Sequence, residues 1–303
     1  MRAFLYDKYG YYPEDEFATS FEKDGWIFKL EISEKNDSEI HSLRILLEEI
    51  HKKNPSIGSD IIMARDGHYV SMSEYGPVVL VAVKNAAVNL NTLYQLHMSF
   101  LGKFNNEDLR ISHLRNLWID KTNIIEEKIV SSIPLTNEIN KRVYLITQYA
   151  LGLAENAIQY LLDTSTYYGD RITNTTISHK RLERLDSFYL MNPFNLIIDS
   201  PMRDLAELYK NNQISINDLS KLLNNYKISI VDASLLLARC LYPSHIFDVV
   251  EDYYELHKSF EHRGEELYLN LESNLLRIKK LYRLLVSKYC IRPISLLESE
   301  IIY

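Results

Sequence analysis

An α+β fold is predicted, with a small β-rich lobe over residues 1–84 and a large helical lobe over residues 85–303. Three observations carry this expectation. Strand-like runs separated by turn signals fill the first 84 residues and enclose one amphipathic helix; long segments of helical period follow; and neither an internal repeat nor a Pro-, Gly- or Ser-rich linker interrupts them. With 303 residues, 46% of them hydrophobic, the chain can bury one or two ordinary cores.

The elements follow in order. Phe17 to Glu22 runs into Lys23-Asp24-Gly25, and the aromatic and β-branched run Trp26 to Ile32 comes next, which reads as a hairpin. Ile40, Leu43, Leu46, Leu47 and Ile50 recur at helical spacing, so a helix is expected over 37–52 with Asp37 or Ser38 as its cap. Ile61 to Met72 reads as a second hairpin around Asp66-Gly67, and Val78 to Val83 as a buried strand. Asn85 to Asn89 is the expected connection to the helical lobe. Helices are expected there over roughly 90–102, 106–128, 137–163, 203–211, 215–224, 230–240, 245–260 and 264–289.

Composition excludes several function classes. The formal net charge of −7, with acids and bases interspersed, leaves no footprint for nucleic acid. No run of 18 apolar residues occurs and the first eight residues carry charges at Arg2, Asp7 and Lys8, so neither membrane insertion nor a visible export signal is expected. Cys240 and Cys290, fifty residues apart, read as free thiols. The 22 tyrosines accompany abundant Ile, Asn and Lys, the joint signature of AT-rich coding rather than of a function.

One stretch carries chemistry. Ile177-Ser-His-Lys-Arg-Leu182 is followed by Leu196-Ile-Ile-Asp199 and Arg203-Asp-Leu-Ala-Glu207. It resembles the catalytic half of aminoglycoside and choline kinase-like enzymes, in which a strand end enters His-Gly-Asp-Leu, a metal-binding Asp ends a short strand, and Asp-Leu-Ala opens a helix. His179 and Asp199 stand twenty residues apart, as that pattern requires. The resemblance implies a bilobal protein-kinase-like fold of the aminoglycoside phosphotransferase type. In its register the catalytic-base position is Arg181, and a guanidinium that never deprotonates cannot accept a proton. The loop of His179 and Arg181 is therefore degenerate, with no intact catalytic residue.

The other positions follow from the same resemblance. Asp186 falls in the metal-ligand Asn slot and Asp199 in the metal Asp slot, so these two are the metal candidates; a turn-initiating Asp before Ser-Pro explains Asp199 equally well. Arg181 is expected to neutralise the pair. Lys29 is the candidate for the phosphate-positioning lysine, with Glu39 or Glu48 as partner, against the plainer reading of an exposed strand lysine and helix-surface acids. Asp204 is expected to brace the fold near a helix N-terminus. The nine glycines never fall within six residues of one another, so no phosphate-cradling loop is visible. Tyr168 to Asn174 repeats Gly-Asp but out of register, and reads as a surface loop. His257 and His262 are not spaced as a zinc site.

Gly152 to Leu161, Leu93 to Gly102 and Ala238 to Phe247 are similar to the YutH-type spore coat proteins, relatives of the CotS-like coat kinases. That resemblance implies a non-catalytic, pseudokinase-like protein that binds other spore coat proteins, made in the mother-cell cytoplasm and assembling onto the coat. It implies no cofactor. The alternative is an ATP-dependent small-molecule phosphotransferase with an altered base, His179 or Asp186, for which Mg-ATP would be the cofactor.

Overall fold

The computed structural model describes residues 1–104, 109–256, 259–260 and 263–298, and these form two compact units. The first comprises Met1–Lys103 with Thr176–Ile198, and the second Phe104–Thr175 with Asp199–Tyr303. The expected helix starts near residue 106 and the end of the 245–260 helix fall partly, and His257 and His262 wholly, outside the described residues.

In the first unit the chain begins with α1 (Arg2–Tyr9), followed by β1 (Ser20–Lys23), β2 (Trp26–Ile32), α2 (Asp37–Lys53), β3 (Ser59–Ile62), β4 (Ser71–Ser73), β5 (Gly76–Lys84) and α3 (Leu90–Phe100). Apart from α1, this is the expected order. The sheet runs β1-β2-β5-β3, with β4 also on β5 and every pairing antiparallel. Asp24 and Gly25, both at positive φ, make the two-residue turn between β1 and β2, the handedness that matches strand twist. Alternation along β2 sends Phe28 and Leu30 into a cluster with Val78, Leu80 and Ala82, while Ile27, Lys29 and Glu31 face the other way. α1 closes that cluster with Leu5.

Two expectations for this unit need correction. The Asp66-Gly67 turn exists, with Ala64 N–H donating to the His68 carbonyl at 2.8 Å and Gly67 at positive φ, but β3 and β4 do not pair with each other. Both pair with β5, over residues 80–83 and 76–78, because its nine residues are long enough to template both. The cap of α2 is Asn36, in a capping box with Glu39, not Asp37 or Ser38. Asp37 instead fastens the turn to the helix, accepting from the Tyr69 and Val70 N–H groups, each at 3.0 Å, and bonding His68 Nδ1 at 2.6 Å.

The Asp37 carboxylate raises the pKa of His68 and His68 in turn lowers that of Asp37. A raised folded-state pKa means that the histidine adds stability below its unfolded pKa, and this is lost as pH rises through the folded value. NMR titration of His68 is expected to give a midpoint above 6.5 that falls in Asp37→Asn. Identical midpoints in the two proteins would remove the pair.

The chain then enters the second unit with α4 (Ile111–Ile124), continued by a π turn, and α5 (Glu138–Tyr168). It returns to the first for β6 (Thr176–His179) and α6 (Ser187–Met191), and β7 (Leu196–Asp199) pairs with β6. The remainder is α7 (Met202–Lys210), α8 (Ile216–Tyr226), α9 (Ile230–Leu241), α10 (Ser244–Tyr254), α11 (Arg263–Leu269), α12 (Leu271–Tyr289) and α13 (Ser295–Glu298). α5 and α9 are packed together at the centre of this unit. Ala150, Ala154 and Ala157 keep one face of α5 slim, and α9 is buried on all sides from Asp232 to Leu241. The stretch Ile230–Tyr254 is apolar enough by composition to cross a membrane, yet 78% of its window is buried within the protein and Tyr242-Pro243 divides it into two helices. The single helix expected over 264–289 is divided at Asn270.

Candidate functional site

The outward face of β2 is one wall of a cavity of about 680 Å³ that lies wholly within the first unit. Lys29 Nζ sits 2.9 Å from Glu31 Oε1 and 5.2 Å from the Phe188 ring centroid. Its carboxylate partner is thus two residues along its own strand, where period-two alternation places it, and not on α2. Glu39 is engaged elsewhere: its carboxylate accepts the Asn36 N–H at 2.9 Å, which holds it below the usual carboxylate range. Asn192 Nδ2 donates to Glu31 at 3.2 Å, so the lysine, its acid and the α6 region are linked.

The segment after β6, with Arg181, Arg184 and Asp186, forms a further wall. His179 is fully buried, and its Nε2 donates to the Leu190 carbonyl at 2.8 Å, a structural bond that ties β6 to α6. The backbone of Arg181 is clasped by Asn195, whose Oδ1 accepts the Arg181 N–H at 3.0 Å and whose Nδ2 donates to the Arg181 carbonyl at 2.6 Å. Asp186 caps α6 by accepting the Tyr189 N–H at 2.9 Å, while its other oxygen meets Arg184 Nε at 2.6 Å.

Asp199 stands at the head of the second unit, 5% exposed. Its Oδ1 accepts from its neighbour Ser200 N–H at 2.6 Å and from Arg239 Nη2 at 2.8 Å; its Oδ2 accepts from Arg203 Nη1 at 2.9 Å and from the same Arg239 nitrogen at 2.9 Å. A carboxylate offers about four lone-pair positions, and four donor contacts fill them. Burial pulls the Arg239 guanidinium below its ordinary value, and the Asp199 charge opposes that shift. Arg184 pairs with Asp186, and Arg239 and Arg203 pair with Asp199. A divalent ion needs open carboxylate oxygens. Asp186 and Asp199 as held here do not fit one.

Asp204 is fully buried in the first turn of α7, where the helix dipole favours its charge. The Tyr168–Asn174 segment is more than a surface loop. Asp170 accepts from Ser112 N–H at 2.8 Å and Ser112 Oγ at 2.7 Å, capping α4 from a distance, and Asn174 donates to Asp232 at 2.5 Å. Sequence reasoning missed Glu31, Asn192, Asn195 and the three arginines. Asn192-Pro193-Phe194-Asn195 was a legible turn signal, and Arg203 lies one helical turn from Asp199.

The family model described as "Spore coat putative kinase YutH" matches residues 2–286. The chain belongs to this family. It is 31% identical over 173 residues to the Endospore coat-associated protein YutH of Bacillus subtilis strain 168, an alignment covering 52% of this chain and 51% of that protein. The match thus spans about half the length of that relative. Among solved structures, an aminoglycoside phosphotransferase from Alicyclobacillus acidocaldarius is similar with a TM-score of 0.52 at 9% identity, covering 89% of this chain and 93% of that one. The fold is accordingly the α+β kinase-like fold of the aminoglycoside phosphotransferase type, and membership of the family ties the chain to the spore coat.

In protein kinases the phosphate-positioning lysine is on the third strand, beneath a Gly-rich loop. Here Lys29 is on the second described strand.

Proposed function

We propose that this chain is a non-catalytic, kinase-like component of the spore coat that acts by binding other coat proteins. The observation that carries this reading is the state of Asp199, whose four acceptor positions are taken by two arginines and a backbone N–H. Phosphoryl transfer relies on metal ions that neutralise the developing charge, and on a base or an orienting residue for the nucleophile. Asp199 has no oxygen open for the first, and Arg181 cannot serve as a base in the second.

The altered-base alternative would need His179 or Asp186 to accept the proton. His179 spends Nε2 on the Leu190 carbonyl inside the core, and Asp186 spends its two oxygens on the α6 cap and Arg184. Lys29 pairs with Glu31 on its own strand rather than with an acid on α2. Each group that would do chemistry is already committed to holding the fold. What remains for function is surface, and membership of a spore coat family supports a role for that surface in coat assembly. Synthesis in the mother cell followed by recruitment to the coat is part of the same proposal.

A fluorescent fusion expressed during sporulation is expected to gather on the forespore surface, and Lys29→Ala is expected to gather there equally, since binding does not use the lysine. Uniform mother-cell fluorescence throughout coat assembly would contradict the coat role. Loss of recruitment in Lys29→Ala alone would favour a nucleotide-dependent protein.

A further inference from the structure

We infer that the second unit carries a binding site for a phosphorylated sugar or polyol, in a cavity of about 530 Å³ walled by the end of α7, the start of α10, and α11 and α12. The volume suits a small ligand. Its lining is polar, which argues against an apolar one.

The anion-binding element is on α12. Arg277 and Lys280 lie three residues apart and so share a face. The Arg277 guanidinium donates to Asn212 Oδ1 and to the Tyr209 carbonyl, and it lies 4.7 Å above the Tyr209 ring. All three partners are uncharged, so the guanidinium is held in place with no carboxylate against it among the described residues. Lys280 is exposed and has no ion pair among the described residues. Arg263 adds a third cation to the wall, against the carboxylate of Glu266. Lys210 also lines the cavity but is neutralised by Glu207 at 2.6 Å. Among the described residues the balance is two net positive charges in one concave site of a chain whose overall charge is −7.

A planar guanidinium beside an ammonium is an arrangement that recognises phosphate oxygens. Beyond it the wall presents Asn270, Ser273 and Asn274, whose carboxamides and hydroxyl both donate and accept, as a ligand rich in hydroxyl groups requires. Among the described residues no Phe, Tyr or Trp lines the cavity, and the nearby Tyr209 ring is covered by Arg277, so they offer no platform on which a nucleobase could stack. These features select a sugar or polyol phosphate over a nucleotide.

Calorimetric titration of the full chain tests this, with glucose 6-phosphate, glucose, inorganic phosphate and AMP as probes. Glucose 6-phosphate is expected to bind with a Kd on the order of 1 mM or below, and the other three at least about tenfold more weakly. Lys280→Glu, at an exposed position, is expected to weaken binding at least about tenfold with an unchanged melting midpoint; Arg277→Gln is expected to do the same even if it also lowers that midpoint. Absence of binding by wild type, an unchanged affinity in Lys280→Glu, or equal affinity for inorganic phosphate would each overturn the assignment, the last by showing unselective anion adsorption.

Discussion

Replacing Arg239 by methionine is expected to cost about 3 kcal/mol of folding stability, the low end of the range for breaking a buried ion pair by removing one partner. Arg239 is 8% exposed and makes two of the four contacts to Asp199. Its loss leaves a carboxylate inside the protein with Arg203 and one backbone N–H, and Arg203, 28% exposed in its side chain, is the weaker partner. The double variant Arg239→Met with Asp199→Leu is expected to recover much of the loss, because it removes both buried charges together. Denaturant midpoints at unchanged slope measure this. A loss below about 1 kcal/mol in the single variant would mean that Asp199 does not depend on Arg239 for its neutralisation.

The second large effect is expected at Asp204. Substitution by alanine removes a fully buried acceptor from the first turn of α7 and should cost about 1 to 3 kcal/mol, through donors left unsatisfied and loss of the favourable charge at the helix start. Lys29→Ala should cost less, since the Lys29–Glu31 pair has side chains 41% and 22% exposed and solvent screens it. Equal midpoints for the two variants would deny Asp204 a bracing role.

These two residues show what was legible beforehand and what was not. The strand order of the first unit could be read because β2 alternates cleanly and β5 is an unbroken apolar run, and Asp204 and Asp199 could be placed because a short motif fixes their spacing. α1 was missed because its face toward the sheet is carried by one fully buried residue, Leu5, among charged and aromatic neighbours, though Lys8 and Gly10 at its end were a usable stop signal. The β3–β4 pairing was misread for a different reason. A turn dipeptide reports the local chain reversal, whereas the strand partner is decided by which neighbour offers a free edge, here β5.

The site divides along the same line. Local partners left traces: Glu31 is two residues from Lys29, Arg184 two from Asp186, Arg203 four from Asp199. Arg239 left none, because forty residues and two intervening helices, α7 and α8, separate it from Asp199 and its position inside α9 looks like any charged residue in an apolar helix. A sequence motif located the metal-type carboxylate. The long-range contact that occupies it emerges with the packing of α9.

Phosphoryl transfer by the purified wild-type protein tests the central claim most directly, because the claim is that arginines stand where catalysis needs metal and base. With labelled ATP and Mg or Mn, in the presence of small-molecule acceptors, transfer and ATP hydrolysis are expected to be indistinguishable from a no-protein control, and unchanged in Asp199→Ala. Robust turnover by the wild type, abolished in an Asp199→Ala variant that remains folded, would contradict the account and make the altered-base phosphotransferase the better one.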